Sequence, residues 1–310
     1  MPTHTESVVR PFRPEEDLAA LVALHNTVEL AEGREASVAV EQMEKAVTRP
    51  NVYRWVVPAP EENGKLAGYG VLFYQTAERC YGDAKVHPAW RRRGLGRLLI
   101  DELVAKATQL GTRYLAIDVA AANQDALRFL LSQGFRFRGD TWALLASPEV
   151  ALPPPDWPDG YSVRPYAEVG DLSVLTALCN RTFGDLWGHW ENTPGMVDEA
   201  RMADILDNFD PNGIFIVFDR AGHAVAQCRS LASAGGDTPH VLDQPGVVPE
   251  QRAAGLHAPL ALTAAHWLRS QGRQPVRLES WGDAAETVAI YQALGFVLSE
   301  HEVSYVRELK

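Results

Sequence analysis

The segment KVHPAWRRRGLGRLLIDEL, Lys85 to Leu103, decides how the chain is interpreted. A strand-like stretch runs into three arginines that repel one another and then into Gly-Leu-Gly, although glycine is a poor helix former. An amphipathic helical pattern follows. A strand that ends in a tight turn before a helix directs several backbone N–H groups at one point, where the helix dipole adds positive charge. The turn is therefore predicted to bind phosphate; the alternative is a solvated basic turn whose glycines serve chain reversal.

Composition excludes several broad classes of protein. The chain has 310 residues, which favours two domains, and its apolar and charged fractions of 46% and 22% are those of a globular protein. A net charge of −11 argues against a protein that binds nucleic acid through the phosphate backbone. The N-terminal residues lack the apolar core of a signal peptide, and no window is long and apolar enough for a membrane helix. We expect a soluble protein without nucleic-acid or membrane partners.

The cysteines are Cys80, Cys179 and Cys228, an odd number at wide spacing. They form neither a disulfide framework nor a Cys-x-x-Cys metal pair, so a reducing cytoplasm is predicted. Each is interpreted as a buried apolar residue rather than a nucleophile. The nine histidines show no metal-ligand spacing, and we predict no metal.

The two halves of the chain repeat each other. The matching pairs, each separated by 161 residues, are Val86 and Val247, Pro88 and Pro249, Arg91 and Arg252, Gly94 and Gly255, and Gly134 and Gly295. The chain is therefore predicted to be a tandem duplication of one mixed α/β unit. The predicted domains are residues 1–146 and 161–310, joined by the proline-rich linker 147–160, an extended and semi-rigid connector.

Each copy has the same predicted order of elements: a strand, two helices, three strands, a helix, a strand, a helix and a β-ribbon. The first copy's helices are predicted at Pro14–Glu29 and Ser37–Thr48, and the second copy's at Glu168–Thr182 and Val197–Asn208. Gly134 and Gly295 are predicted to end the last helix of each copy as C-terminal caps. The β-ribbons are predicted at Phe135–Leu145 and Phe296–Leu309.

The P-loop pattern and the third glycine of a dinucleotide fingerprint are both absent from this turn. Arg91–Gly96, RRRGLG, resembles instead the pyrophosphate-binding motif Q/R-x-x-G-x-G/A of the GNAT acetyltransferase superfamily. The family's later signature, N-x-x-A-x-x-x-Y-x-x-x-G-F, is matched by Asn123, Ala126, Gly134 and Phe135. The order of elements agrees as well, so the resemblance implies two tandem GNAT domains, each with a mixed, mostly antiparallel sheet flanked by helices.

The resemblance implies acetyl-CoA as the acetyl donor. In this family a bulge splays the fourth strand from the fifth, and the pantetheine arm lies in the gap like an extra strand. Val86 and His87 are then expected beside the pantetheine. The residues expected around the pyrophosphate, which together form the predicted phosphate cradle, are Arg91, Arg92, Arg93, Gly94, Leu95, Gly96 and Arg97. Asn123 either contacts coenzyme A or serves as a helix N-cap, which asparagine favours.

Each copy departs from the family pattern in a different place. Leu130 stands in the first copy where the family has a tyrosine, the acid for the leaving thiolate. Tyr291 keeps that position in the second copy and is the candidate general acid, or else an ordinary buried aromatic. The second cradle reads RAAGLH, and His257 is expected to crowd the pyrophosphate or to be a surface histidine. Asp283 and Glu286 are predicted to form a capping box.

Acceptor sites of this fold lie near the first two helices. In the first copy Glu29, Glu32 and Glu35 are expected either to bind a cationic amine or to form a solvated acidic face. In the second copy Phe183, Trp187 and Trp190 are expected to form a pocket wall or the domain interface. The candidate bases are Glu78, Asp83, His240 and Asp243.

The chain is thus predicted to be an acetyl-CoA-dependent N-acetyltransferase that acts on the amine of a small molecule or peptide. The mycothiol synthases, two-domain GNAT enzymes of similar length, are an alternative, against which the degraded second cradle argues. A non-catalytic sensor or scaffold that binds coenzyme A is the alternative from another class of protein.

Overall fold

The computed structural model describes residues 9–33, 38–60, 64–189, 193, 197–207, 209–231 and 240–309. The chain divides into two compact units. The first consists of Met1–Val119, Gln124–Phe137 and Tyr305–Lys310, and the second of Ala120–Asn123 and Arg138–Ser304. Because the units are defined by contacts in space and not by position in the sequence, residues 138–146 belong to the second unit and residues 305–310 to the first. The domain boundaries 1–146, 147–160 and 161–310 stay a prediction about the repeat in the sequence.

The first unit has an antiparallel meander followed by one parallel strand. Its elements are β1 (Arg10–Pro11), α1 (Pro14–Ala31), α2 (Val40–Val47), β2 (Val52–Pro58), β3 (Leu66–Tyr74), β4 (Arg79–Val86), α3 (Leu95–Gln109), β5 (Tyr114–Ala120) and α4 (Gln124–Ser132). The strand order is β1-β2-β3-β4-β5. The first three pairings are antiparallel and β4 pairs with β5 in parallel, which confirms the predicted mixed sheet.

The second unit repeats this plan. Its elements are β6 (Arg136–Ala146, from Arg138 on), β7 (Ser162–Pro165), α5 (Tyr166–Val169), α6 (Leu172–Phe183), α7 (Glu199–Leu206), β8 (Ile214–Phe218), β9 (Ala224–Leu231), β10 (His240–Asp243), β11 (Gly246–Val247), α8 (His257–Ser270), β12 (Val276–Trp281), α9 (Ala285–Ala293) and β13 (Val297–Glu308, up to Ser304). Strand β10 pairs with β12 in parallel, while β7, β8 and β9 form an antiparallel meander.

Side-chain alternation decides which helix covers each face of the first sheet. Ala84 and Val86 of β4 pack with the α3 residues Leu95 and Leu99. On the opposite face, Leu21, Leu24 and Val28 of α1 pack on Val56, Tyr69 and Val71. Because successive strand residues point to opposite faces, Asp83 and Lys85 of β4 lie on the α1 face. The turn that follows β4 therefore adjoins α3, while the charged β4 side chains adjoin α1.

Two predicted elements differ from the structure. Glycine at position 170, with φ +62°, ends α5, and the Asp171 side chain accepts the N–H groups of Ser173 and Val174, so the predicted helix Glu168–Thr182 is two helices. The predicted β-ribbons were wrong: each copy ends in one long strand, β6 or β13. The glycine caps are confirmed by φ values of +81° and +102° at Gly134 and Gly295.

The proline-rich linker is held against the second unit. Arg269 of α8 donates hydrogen bonds to the carbonyls of Ser147 and Val150, and the His266 ring lies 2.8 Å from the Pro153 carbonyl oxygen. Leu152 is part of the hydrophobic core. The segment is extended, as the prolines predict, but its backbone is fixed by α8.

Candidate active site

The cradle motif forms a turn that joins β4 to the N-terminus of α3. Gly94 is the N-cap residue of α3, with φ +85°, and Leu98 donates the first intrahelical hydrogen bond to its carbonyl. The N–H groups that precede Leu98 have no partner within the helix. A left-handed residue followed by a helical one forms a concave nest of N–H groups that binds anions. The backbone at Gly94, Leu95 and Gly96 therefore has the geometry of an anion site.

Gly96 has a close neighbour that the motif alone does not reveal. A Cβ atom built at this position would lie 3.3 Å from Cζ of the Phe129 ring of α4, closer than nine in ten real Cβ contacts, so the ring would have to shift by a few tenths of an ångström to accommodate it. At Gly94, by contrast, a Cβ would meet no atom within 4 Å, and the left-handed backbone alone favours glycine. Gly96 thus lets α3 and α4 approach each other beside the nest.

The arginines of the motif have different surroundings. Arg93 lies over the Trp90 ring, 4.6 Å from its centroid, and Arg97 is 3.8 Å from Asp101 and largely exposed. Arg92 has φ +64°, which is uncommon for a residue with a side chain. The guanidinium of Arg91 donates to the Val86 carbonyl at 3.2 Å and to the Glu32 carboxylate at 3.0 Å. All four arginines are exposed, and Arg91, whose side chain is 41% exposed, differs from Arg92, Arg93 and Arg97 in contacting both a backbone carbonyl and a distant carboxylate.

Strands β4 and β5 separate toward the cradle. They pair at Arg79, Cys80 and Tyr81 with Tyr114, Leu115 and Ala116, and no pairing between described residues extends to Gly82–Val86. On its other edge β4 stays paired with β3 through Val86, and the His87 N–H continues this pairing by donating to the Ala67 carbonyl at 2.9 Å. The free edge of β4 at Val86 thus faces a gap of the kind expected for a pantetheine arm.

The bulge expected in the fourth strand is present only in the second unit. Strands β3 and β4 pair without a register shift from Gly68–Val86 to Tyr74–Cys80. In the second unit Ser230 pairs with Leu242 and Gln227 with Gly246. The segment from β10 to β11 therefore has one residue more than the part of β9 with which it pairs. The expectation of a bulge in the first unit was therefore wrong: β4 separates from β5 there without one.

The pairing of the fourth strand with the fifth strand in each unit shows where along the sequence the extra residue of the second copy lies. Cys80 pairs with Leu115, and His240 pairs with Val276, the counterpart of Leu115. Cys80 and His240 are thus equivalent at a separation of 160 residues, whereas Val86 and Val247 are 161 residues apart. The extra residue of the second copy therefore lies between these positions.

The predicted acidic acceptor region already contains internal cations. Glu29 accepts a hydrogen bond from the Lys85 ammonium at 2.9 Å, and Lys85 lies 3.8 Å from Asp83. Glu32 is paired with Arg91, while Glu35 lies outside the described residues. Glu78 precedes β4 at the end away from the cradle and is paired with Arg113 at 3.2 Å. Asp83, with its side chain 47% exposed, is therefore the candidate base nearest the gap.

Asn123 lies directly before α4, and its N–H donates to the Ala120 carbonyl at 2.8 Å. It belongs to the segment Ala120–Asn123, which is grouped with the second unit. Its contact with coenzyme A stays a prediction.

Tyr291 of the second unit is completely buried. Burial and the nearby Asp283 carboxyl raise the pKa of Tyr291 well above its usual value of 10. The Asp283 carboxylate accepts a hydrogen bond from the Ser280 hydroxyl at 2.7 Å and is itself buried. The predicted capping box was wrong: α9 has Ala284 as its N-cap residue, and Asp283 points into the core instead. The role of Tyr291 as an acid stays a prediction.

The second unit fills its own strand gap with side chains. The Gln244 side-chain oxygen at the bulge is 2.9 Å from the His189 ring and also accepts the N–H of Trp281 on β12. His189 stacks on the Phe183 ring with a centroid distance of 4.1 Å. A Cβ at Gly282 would lie 2.5 Å from the Trp187 carbonyl, so the loop 184–189 packs directly on the end of β12. These residues lie between the fourth and fifth strands of the second unit, where the resemblance to the GNAT superfamily would place a pantetheine arm.

The aromatic residues of the loop after α6 and the remaining candidate bases of the second unit lie in different surroundings. Phe183 is buried in α6, while Trp190 lies outside the described residues. Asp243 is paired with the buried Arg229 at 2.9 Å. His240 is the first residue of β10, and its side chain is outside the described part of the structure.

His257 is buried at the start of α8, so the expectation of a surface histidine was wrong. Burial, with a smaller effect of the Arg252 charge, lowers the pKa of His257 from 6.5 to about 4. Burial also raises the pKa of Asp283 from 3.8 to about 6. Burial thus shifts both groups toward their neutral forms: at pH 7 His257 is neutral, whereas Asp283 gains its proton only below about pH 6.

These two pKa shifts predict opposing effects of pH on stability. The contribution of Asp283 is complete below pH 3.8 and is lost as the pH rises through 6, while that of His257 is complete above 6.5 and is lost as the pH falls through 4. We expect Asp283→Asn to change stability relative to the wild type by an amount that varies between pH 4 and 6.5, on the order of 3 kcal/mol. Thermal unfolding midpoints across this range measure it; a pH-independent difference would contradict the prediction.

The cysteines are all buried, as predicted. Burial raises the pKa of Cys80 to about 12 and that of Cys228 well above 9, which makes neither a nucleophile. Among the residues that the structure describes, no group of three His, Cys, Asp or Glu side chains is placed to hold a metal ion. No helix in the described part of the chain is long and apolar enough to cross a membrane.

Sequence reasoning missed Lys85 and Gln244. Lys85 follows Asp83 by two residues in a strand, so alternation could have placed both on one face. Nothing in the sequence around Gln244 indicates that its carboxamide bridges two strands, because the bridge depends on the bulge.

Comparison with known proteins agrees with this geometry. The model of the acetyltransferase (GNAT) family matches residues 19–135. A GCN5-related N-acetyltransferase structure from Sphaerobacter thermophilus aligns with a TM-score of 0.78 at 20% identity, over 98% of this chain and 96% of that one. A tandem GNAT protein from the clavulanic acid biosynthesis pathway aligns with a TM-score of 0.63 at 19% identity, over 98% and 99%. Both structures share the tandem fold.

Curated relatives cover most of the chain as well. The mycothiol acetyltransferase of Thermobifida fusca is 28% identical over 94% of this chain and 95% of its own length. The mycothiol acetyltransferase of Saccharomonospora viridis is 31% identical over 78% of this chain and 80% of its own length. The chain belongs to the acetyltransferase (GNAT) family, whose members use acetyl-CoA.

Proposed function

We propose that the chain transfers an acetyl group from acetyl-CoA to the amine of a small molecule and that the first unit binds the donor. The observation that carries this proposal is the combination of a strand gap with a helix nest: β4 leaves β5 after Tyr81 and leads directly to the left-handed Gly94. In this proposal the nest and the charges of Arg92, Arg93 and Arg97 hold the diphosphate. Val86 and His87 lie beside the pantetheine.

The chemistry requires a group that takes a proton from the attacking amine. Asp83 is the proposed base, because it lies on β4 two residues beyond the last pairing with β5 and its side chain is 47% exposed. Lys85 and Glu29 pair beside it on the α1 face. As the amine nitrogen bonds to the carbonyl carbon, its proton passes to Asp83 and the carbon–sulfur bond breaks. An N–H group on the free edge of β4 is suited to stabilise the oxyanion.

The buried Leu130 occupies the position of the family's acid in the first unit and donates no proton. In the proposed reaction the thiolate takes its proton from Asp83 or from water, because a thiol with a pKa of about 8.5 is mostly protonated at neutral pH.

Thiol release from acetyl-CoA across a panel of amines tests this function. We expect turnover by the wild type and a loss of at least tenfold in kcat for Asp83→Asn, with unchanged acetyl-CoA affinity, because the base acts mainly in the transition state. Tyr291→Phe tests the other candidate: if Tyr291 is the acid, that variant loses kcat. Tight binding without turnover would support the sensor alternative, and an unaffected Asp83→Asn would exclude this base.

A second candidate activity comes from the relatives that match nearly the whole chain, which are named mycothiol acetyltransferases. Including the deacetylated form of mycothiol in the amine panel distinguishes this activity from transfer to other amines. Preferential turnover of that amine would support it.

A further inference from the structure

Arg91 has its guanidinium committed to two protein groups. Its Nε donates to the Val86 carbonyl oxygen at 3.2 Å, and its Nη2 donates to Glu32 Oε1 at 3.0 Å. The first contact closes the turn from the end of β4 to the cradle. The second joins that turn to α1, because Glu32 is the C-cap residue of this helix.

The second unit contains the same arrangement. Arg252 Nε donates to the Val247 carbonyl oxygen at 3.3 Å, and its two terminal nitrogens donate to the Asp185 carboxylate at 2.6 and 2.7 Å. Asp185 lies two residues beyond the end of α6. In both units, therefore, one arginine joins the strand-to-helix turn to the C-terminal end of a preceding long helix.

In the second unit the arginine keeps these contacts although other residues of the phosphate-binding motif are replaced. Ala253 and Ala254 replace two of the arginines, and His257 replaces the second glycine of the motif. Arg252 nevertheless makes its carbonyl and carboxylate contacts. An arginine that serves only as a phosphate ligand would need neither of these partners.

In the first unit the ion pair between Arg91 and Glu32 also neutralises negative charge at the C-terminal end of α1. The C-terminus of a helix carries partial negative charge, so carboxylates there are unfavourable unless a cation neutralises them. The last turn of α1 has no basic residue, and Glu29 and Glu32 lie at this end. Lys85 and Arg91, at the end of β4 and in the turn, provide the cations.

We propose that Arg91 is a positioning residue that straps the cradle turn to the end of α1 and is not itself a phosphate ligand; the proposal rests on the proposed binding of the donor by the first unit. The strap holds Val86 and the turn in the arrangement that directs the N–H groups of the nest. Arg252 and Asp185 form the corresponding strap in the second unit, where it serves stability alone.

Calorimetric titration of the full chain with coenzyme A tests the strap. We expect Glu32→Gln, Arg91→Gln and Arg91→Lys each to weaken binding by roughly threefold to tenfold, because lysine cannot make both of the directed contacts of the guanidinium. The double variant Glu32→Gln/Arg91→Gln should bind no more weakly than Arg91→Gln alone, because Arg91→Gln already removes the contact with Glu32. As the matched control, Arg252→Gln and Asp185→Asn should leave the affinity unchanged.

A phosphate ligand would behave differently. Glu32→Gln would then release Arg91 toward the diphosphate and tighten binding, and Arg91→Lys would keep most of the affinity through its charge. Either result overturns the proposal, as does an unchanged affinity for Glu32→Gln. If the wild type binds no coenzyme A, the proposed function fails, and thermal unfolding still tests the strap: additive effects of Glu32→Gln and Arg91→Gln on the unfolding midpoint would overturn it.

Discussion

Gly94→Val is expected to weaken acetyl-CoA binding at least tenfold, about 1.4 kcal/mol of binding free energy. Gly94 has φ +85°, a conformation that β-branched residues rarely adopt. Valine would turn this residue to negative φ and direct the N–H groups of Gly94 and Leu95 away from a common point. Because nothing lies within 4 Å of the built Cβ, the effect arises from the backbone rather than from a clash.

Gly255→Val in the second unit is the matched control. Gly255 has φ +76° and likewise no atom within 4 Å of a built Cβ, so valine there imposes the same kind of strain. We expect both variants to lower the unfolding midpoint by similar amounts, since a strained left-handed residue costs about 1–3 kcal/mol. Only Gly94→Val should lower the affinity. Equal loss of affinity in both variants, or none in either, would remove the first nest as the donor site.

A single coenzyme A per chain is the second large effect that we expect. The backbone nest exists in both units, because Gly255 also precedes a helical residue. The second unit, however, lacks two arginines of the motif and contains the buried His257. Its strand gap is bridged by Gln244 and His189. A ligand there would have to displace hydrogen-bonded buried groups, which is unfavourable.

Calorimetric titration of the whole chain at fixed salt measures the stoichiometry. The wild type should bind one coenzyme A at moderate ligand concentration, and Gly94→Val should bind much less. Separated halves would not be a valid test, because residues 138–146 and 305–310 each belong to a compact unit on the other side of a cut at the linker. A stoichiometry of two would show that both units bind coenzyme A, and a single site that Gly94→Val leaves intact would assign the donor site to the second unit; either result contradicts the prediction.

The sequence by itself determined the class of the fold and the position of the glycine turn between β4 and α3. Both depend on local signals: Gly94 and the arginines lie within a few residues of each other, and backbone N–H geometry follows directly from a strand-turn-helix pattern. The duplication was equally visible, since it needs only pairs of residues at constant separation. Helix ends at glycine or aspartate were predictable for the same reason, apart from the break at Gly170 and Asp171.

Only the tertiary structure decided which partners the side chains of each copy have. Arg91 belongs to the expected phosphate-binding motif, and the structure pairs it with Glu32, which is distant in sequence. His257 was expected to crowd the pyrophosphate or to lie at the surface, and the packing around α8 buries it, which rules out the second alternative. Gln244 lies at the bulge between Leu242 and Gly246, and its side-chain oxygen accepts the N–H of Trp281 on β12. Partners of this kind are set by long-range packing and strand register, which sequence spacing does not encode.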